Sequence, residues 1–198
     1  AFDRHAYAAD KALLLKTAAD KLGFPIFVKP ANTGSSVGVT KVCSFDELAP
    51  ACEKAFEFDK KIVLEEGIDG VEIECAVLGN EEPIASVVGE IVPCNDFYDY
   101  DAKYLAGDSE LHIPARLPEE KLEAVRAAAV NAFRSFGCSG LTRVDFFVRR
   151  SDGEILLNEP NTIPGFTEIS MYPKLFAASG IPYPELLDKL INYAIERQ

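Results

Sequence analysis

The sequence predicts an α+β protein whose sheets are largely antiparallel. Three observations lead there. The order of patterns is mixed: helix, hairpin, helix, strands, helix, hairpin, helices. Extended segments come in pairs joined by short loops rich in Gly, Ser and Asp, as antiparallel neighbours do. Of 198 residues, 48% are hydrophobic and 26% charged, which is ordinary for a globular protein with a real core. At roughly 150 residues per domain, that length permits one large domain or two small lobes.

A helical pattern covers residues 6–22 and ends at Gly23 and Pro25. Residues 26–29 read as a short buried strand, followed by the small-residue loop Pro30-Ala-Asn-Thr-Gly-Ser-Ser-Val-Gly38. Residues 39–43 read as a strand paired back on the first. Ser44 is a candidate N-cap, with Glu47 placed for a capping box, and the helix it opens runs to about residue 58. Strands are expected over 62–65, 71–78 and 86–93. Segment 94–114 is long, polar and aromatic, a length typical of functional lids or of disorder. Residues 117–136 form an amphipathic helix, with Pro118 near its first turn and Gly137 just past its end. Strands 141–149 and 154–160 are joined by the turn Arg150-Ser-Asp-Gly153, and helices are expected over 172–178 and 184–196. There is no internal repeat.

The net charge is -12 with a pI of about 4.6. An acidic surface repels a phosphate backbone and argues against nucleic acid as a partner. A local cluster of Lys and Arg can still hold one nucleotide. The five cysteines are odd in number and none form C-x-x-C, so free thiols in a reducing cytosol are expected. Only His5 and His112 could join them, which disfavours zinc. No signal peptide and no apolar run of bilayer-spanning length are visible, so the expectation is a cytoplasmic chain without a membrane partner.

The last two strands carry the first candidate site. Side chains alternate between strand faces, so Arg143 and Asp145 share one face and Val144 and Phe146 the other. Glu159 and Asn161 likewise share a face. If the two strands pair, two carboxylates and an amide oxygen meet beside a guanidinium. Such carboxylates repel unless a positive charge lies among them, and hard oxygen donors suit Mg²⁺ or Mn²⁺. Spacing alone leaves open that these are solvent-facing residues of a hairpin. Pro160 points to an edge or a strand end.

The stretch Asn32-Thr-Gly-Ser-Ser-Val-Gly38 is rich in backbone donors, and Lys29 could bring charge to an anion there. It lacks G-x-x-x-x-G-K and leads into a strand, so it is no Walker loop; a plain turn is the alternative. Glu72 and Glu74 point the same way on their strand. A carboxylate so placed can accept both hydroxyls of a ribose, or be the charged outer face of a half-buried strand. Phe97-Tyr-Asp-Tyr-Asp-Ala-Lys-Tyr104 offers aromatic bulk and a cation, as a lid requires, or is an Ω-loop packed on the body.

Taken together these segments resemble the D-alanine–D-alanine ligase family of the ATP-grasp group. The matching stretches are Val28-Lys-Pro30, Gly34-Ser-Ser-Val-Gly38, Glu65 with Glu72, the Phe97–Tyr104 lid, Gly140-Leu-Thr-Arg-Val-Asp145, and Asn158-Glu-Pro-Asn-Thr-Ile-Pro-Gly165 with Ser170-Met-Tyr-Pro173. The resemblance implies two α+β lobes gripping ATP, residues 1–66 the smaller and 67–198 the larger. It implies that Lys29, Ser35 and Ser36 hold the phosphates, that Glu65 with the backbone of Glu66 and Ile68 faces adenine, and that Glu72 binds the ribose. Lys103 would reach the γ-phosphate, and Asn158 and Glu159 would also touch the nucleotide. Asp145, Glu159 and Asn161 would ligate two Mg²⁺ or Mn²⁺ ions. Arg143 and Gly165 would stabilise an oxyanion, Ser170 and Met171 would contact the second amino acid, and Ser35 with Tyr104 would link loop and lid over the substrate. Arg143, Ser35, Lys103, Gly165 and Ser170 form the implied catalytic set.

The implied reaction joins two D-alanines for peptidoglycan synthesis, through an acyl phosphate made from ATP. Family members carry a further N-terminal domain and are commonly homodimers. The resemblance therefore implies a chain that begins inside the ATP-grasp region and is weak or inactive alone. Asp10-Lys11 lies too close to Lys29 for the family's earlier lysine. Alternatives are a ligase using D-serine or D-lactate as acceptor, against which Tyr104 speaks, and a non-catalytic nucleotide-binding module.

Overall fold

The computed structural model describes residues 1–92, 110–167 and 169–197. They fall into two compact units, Ala1–Ile68 and Asp69–Val92 with the described part of Glu110–Gln198.

The first unit holds β1 (Phe2–Asp3), α1 (Arg4–Ala9), α2 (Lys11–Leu22), β2 (Ile26–Pro30), β3 (Thr40–Val42), α3 (Phe45–Phe58) and β4 (Lys61–Glu66). Its strands lie in the order β1-β4-β2-β3, each pair antiparallel. The expected hairpin forms, with Ile26 opposite Val42 and Val28 opposite Thr40. Alternation decides its two faces: Ile26, Val28, Ile62 and Leu64 enter the core with Leu48, Ala51, Cys52, Ala55 and Phe56 of α3. Phe27, Lys29, Val63 and Glu65 share the opposite face.

The single helix expected over 6–22 is in fact two. Asp10 adopts an extended φ of -151° and its carboxylate accepts from Leu13 N, capping α2, while Asp3 caps α1 by accepting from Ala6 N at 2.8 Å. A short acidic side chain competes with the helix ladder for backbone donors, and here it wins. At Ser44 the acid reaches one residue past the cap rather than closing the expected capping box. Glu47 Oε2 accepts from Cys43 N at 2.8 Å, but the Ser44 side chain caps nothing.

The second unit holds β5 (Gly70–Gly79), β6 (Ile84–Val92), β7 (Glu110–His112), α4 (Glu119–Ser135), β8 (Gly140–Arg149), β9 (Ile155–Asn161), α5 (Met171–Ala178) and α6 (Tyr183–Glu196). The sheet order is β7-β6-β5-β8-β9, again antiparallel throughout. One face is apolar: Ile73, Cys75, Val77, Val88, Val144, Phe146 and Val148 pack against Val125, Ala129, Ala132 and Phe133 of α4. Gly137, at φ +63°, ends that helix as expected. Part of the opposite face is closed by α5. A Cβ on Gly89 would lie 2.4 Å from Met171 Cε and 2.9 Å from Leu175 Cδ2, so only glycine lets the helix approach this closely. The buried Tyr172 hydroxyl donates to Val77 O at 3.0 Å. Strand β7 was not foreseen; its three residues are short and polar at the ends, and their pairing with β6 is what defines them.

No described helix is long and apolar enough to cross a membrane. Cys43, Cys52, Cys75 and Cys138 are free thiols. Burial pushes Cys52 and Cys75 up to about 12, so neither is a thiolate at neutral pH.

Candidate functional site

The polar face of β5, β8 and β9 gathers the charged residues. Glu74 on β5 stands opposite Asp145 on β8, and Asp145 stands opposite Glu159 on β9. Three carboxylates thus form one rung across three strands. Glu72 lies on the same face of β5. Arg143, two positions from Asp145, stands opposite Asn161.

Arg143 organises the rung. Its Nε donates to Asp145 Oδ1 and its Nη2 to Asp145 Oδ2, both at 2.7 Å. Its Nε also lies 3.1 Å from Glu74 Oε2. Asn161 Nδ2 donates to Asp145 Oδ2 at 2.9 Å. Asp145 is 3% exposed and Glu74 4%, so these charges are held in a medium that strengthens their attraction. Burial disfavours the guanidinium charge, but the hydrogen bond and charge of Asp145, with Glu74 and Glu159, outweigh it and raise Arg143 above the ordinary arginine range. β9 is the sheet edge, which accommodates Pro160. The register shifts between Asp145 and Phe146, so that Asn158 is the extra residue of a bulge. Without that shift Glu159 would not stand opposite Asp145.

The expected metal trio is therefore partly assembled. Asp145 and Asn161 touch, and Glu159 occupies the paired position on an exposed edge. Among the described residues, no three His, Cys, Asp or Glu side chains converge as a ready cation cage. The donor set still fits a hard divalent cation. One guanidinium (+1) faces three carboxylates (-3), an excess of two negative charges. Each carboxylate oxygen has two lone pairs, so Asp145 can keep Arg143 and still ligate a cation. Mg²⁺ typically uses one or two carboxylates and fills its shell from water and phosphate, so a closed cage is not required.

Gly165, Ser170 and Met171 follow β9. A Cβ on Gly165 would sit 2.8 Å from Ser170 Oγ, so this glycine backbone and this hydroxyl are brought together. Ser170 Oγ accepts from Thr167 N at 3.0 Å and lies 3.0 Å from Thr167 Oγ1. Phe166 anchors the loop between the Tyr172 and Tyr183 rings, each with its centroid 5.6 Å away. Met171, in contrast, is 6% exposed and packs on Gly89.

The first unit carries the remaining residues. Lys29 Nζ lies 2.6 Å from Glu65 Oε2 on the face of β2 and β4 turned from the core. Glu66 is exposed and Ile68 half-buried. In the loop after β2, Ser35 and Ser36 both adopt left-handed conformations, with φ of 52° and 60°. Each costs a non-glycine residue about 1 kcal/mol or more, and such strain concentrates at functional sites. Asn32 fixes the loop's entry by donating from N and Nδ2 to Asp59 Oδ2 at 2.8 and 2.7 Å. Gly38, at φ +78°, fixes its exit: a Cβ there would lie 2.7 Å from Phe58 Cδ2 and 2.8 Å from Pro30 Cγ. Lys103 and Tyr104 lie outside the described residues, as does the whole expected lid.

Sequence reasoning gave Glu74 no task. Its signal was there: a second acid at period two on a strand otherwise buried from Ile73 to Gly79. Only the pairing of β5 with β8 places it against Arg143.

Residues 1–192 match the family described as D-ala D-ala ligase C-terminus. The chain is 59% identical over 179 residues to a D-alanine–D-alanine ligase of Ruminiclostridium cellulolyticum, covering 89% of this chain and 48% of that protein. It is 56% identical over 178 residues to one of Acetivibrio thermocellus, covering 90% of this chain and 47% of that protein. The chain thus spans about half the length of the curated relatives it matches. Among solved structures, the VanG D-Ala:D-Ser ligase of Enterococcus faecalis superposes with a TM-score of 0.86 at 42% identity, covering 97% of this chain and 55% of that one. The two antiparallel α+β units are those of the ATP-grasp fold. The chain belongs to the D-Ala–D-Ala ligase family, of which it carries the C-terminal part.

Proposed function

We propose that this chain supplies the nucleotide- and metal-handling part of an ATP-dependent ligase that joins two D-alanines. The observation that carries the reading is the buried Arg143 beside the Glu74, Asp145 and Glu159 rung, in a chain of this family.

On the first unit, residues 1–66 act as the smaller lobe. Lys29 offers its charge to the ATP phosphates, and the strained Ser35-Ser36 turn offers backbone donors, as such turns do for anions. The Lys29–Glu65 ion pair supports a shared task, with Glu65 and the backbone of Glu66 and Ile68 turned to adenine. On the second unit, residues 67–198 act as the larger lobe, with Glu72 on the ribose. Asp145, Glu159 and Asn161 would hold Mg²⁺ or Mn²⁺, which neutralises phosphoryl oxygens during transfer to the first D-alanine. Asn158 reaches the nucleotide beside Glu159.

The acyl phosphate so formed is attacked by the amine of the second D-alanine. Arg143 and the Gly165 N–H stabilise the oxyanion that develops. Nη1 of Arg143 takes no hydrogen-bond partner among the described residues, which leaves it for that purpose. Ser170, held beside Gly165, and Met171 next to it contact the acceptor amino acid. Lys103 and Tyr104 complete the reading from the lid, Lys103 on the γ-phosphate and Tyr104 with Ser35 over the substrate, where water must be excluded from the acyl phosphate.

The test is ADP release by the protein expressed from its complete gene. Release dependent on D-alanine and on Mg²⁺ is the expected result; ATP binding without turnover would make the protein a nucleotide-binding module. D-Serine as acceptor is the second reading, favoured by the 0.86 TM-score to a D-Ala:D-Ser ligase. The higher identities, 56% and 59%, are to proteins named for D-alanine, and they favour the first. Direct competition between the two amino acids separates them.

A further inference from the structure

Glu74 has no task in the reaction outlined above, yet it is 4% exposed in the middle of an apolar strand. A carboxylate is costly to bury there unless it is paired. Its position is specific. It stands opposite Asp145, with Oε2 3.1 Å from Arg143 Nε. Arg143 Nε therefore faces two carboxylates, Asp145 Oδ1 at 2.7 Å and Glu74 Oε2 at 3.1 Å.

The sheet order sets these partners on opposite flanks of β8. β5, with Glu74, is on one side; β9, with Glu159 and Asn161, is on the other. A divalent cation held by Asp145, Glu159 and Asn161 would draw charge from Asp145 and weaken its hold on the guanidinium. It would also repel the guanidinium directly. Asp145 alone could not then keep Arg143 in place. Glu74 lies on the side away from the cation ligands, within one hydrogen bond's reach of Nε.

We propose that Glu74 is a positioning residue that retains the Arg143 guanidinium when Asp145 turns its charge to a divalent cation. This rests on the reading of Asp145 as a cation ligand and of Arg143 as the oxyanion donor. It assigns the two acids on either side of Arg143 different work: Asp145 serves both cation and arginine, Glu74 the arginine alone.

The measurement is exchange of the Arg143 Nε–H with water, followed by ¹⁵N NMR on the purified chain and assigned by loss of the signal in Arg143→Lys. Asp145→Asn imitates a carboxylate whose charge has been taken. Asp145→Asn alone should leave the Nε–H protected, because Glu74 takes over. Asp145→Asn combined with Glu74→Gln should speed exchange by about tenfold or more, the loss expected when a hydrogen bond to a charged group goes. Equal exchange in the single and double variants overturns the proposal. Should Asp145→Asn fail to give a folded spectrum, wild type and Glu74→Gln are compared with and without saturating Mg²⁺. Protection lost only in Glu74→Gln with Mg²⁺ supports the proposal; no difference overturns it. Mn²⁺ titration followed by EPR supplies a second readout. Affinity unchanged in Glu74→Gln supports an arginine anchor, and a loss of about tenfold, as when a metal site loses a ligand or close support, makes Glu74 a cation ligand and overturns it. Mn²⁺ binding insensitive to Asp145→Asn would instead sink the metal reading, while the exchange comparison of single and double variants still decides the role of Glu74.

Discussion

Arg143 and Asp145, two positions apart on β8, chelate one another: Nε lies 2.7 Å from Oδ1 and Nη2 2.7 Å from Oδ2. A fork facing a carboxylate in this way is pre-organised and geometrically strict, which lysine cannot reproduce. The pair is buried, so its worth depends on both members being present.

Arg143→Ala should separate structure, binding and chemistry. Removing the guanidinium leaves Asp145 and Glu74 buried without it, at a cost of about 3–5 kcal/mol in a urea unfolding experiment. In the protein from the complete gene, turnover should fall about 10²–10³-fold, the usual loss for one oxyanion donor, while ATP binding by calorimetry stays near wild type. Turnover at the wild-type rate would remove Arg143 from the chemistry.

Two glycines of one loop should answer differently to alanine. Gly38 combines φ +78° with a Cβ position 2.7 Å from Phe58 and 2.8 Å from Pro30, so Gly38→Ala should cost about 1–3 kcal/mol by thermal unfolding. A Cβ on Gly34 meets nothing within 4 Å and its φ is not left-handed, so Gly34→Ala should fall within about 0.5 kcal/mol of wild type. Equal effects would mean that the loop rearranges to admit both.

Acid should weaken the second unit through Glu90. Arg116 binds this buried carboxylate with Nε at 3.1 Å, Nη2 at 2.7 Å and its backbone N at 3.0 Å. The side-chain hydrogen bond of Arg116, partly opposed by burial, lowers the Glu90 pKa. A depressed native pKa contributes stability above the unfolded value of about 4.3, and that contribution is lost as pH falls through the native value. Glu90→Gln should therefore be less stable than wild type at pH 7, and the two should converge as pH falls below about 4. A gap that persists at low pH would assign Glu90 a packing role only.

Ser170→Ala removes the hydroxyl that accepts from Thr167 N and sits beside Gly165. The KM for the second amino acid should rise about tenfold, the scale of one hydrogen bond to a charged group, with the KM for ATP unchanged. A change in the KM for ATP instead would place the loop on the nucleotide.

Much of the fold was legible because its signals are local. The hairpin of β8 and β9 needed only period-two alternation and the short turn at 150–153, and these already put Arg143 with Asp145 on one strand face and Glu159 with Asn161 on one face of its neighbour. Gly137 and Pro118 bounded α4 for similarly local reasons. The break at Asp10 was missed although its cause is local, because an aspartate inside a helical pattern reads equally as a surface residue. The bulge at Asn158 was not visible either, since nothing in its composition marks it, and it sets the register of Glu159.

The sequence by itself determined the antiparallel hairpins, the small-residue loop after β2, and which residues of each strand are polar. Backbone sterics and alternation settle these within a few residues of chain. Only the tertiary structure decided which strands are neighbours: β5 lies beside β8, sixty-odd residues on in the sequence, and that pairing brings Glu74 to Arg143. It also decided that Met171 is buried against the sheet, because Gly89 leaves room for its side chain. The physical reason is that long-range pairing depends on how whole faces fill space against α4 and α5, a quantity no window of sequence contains.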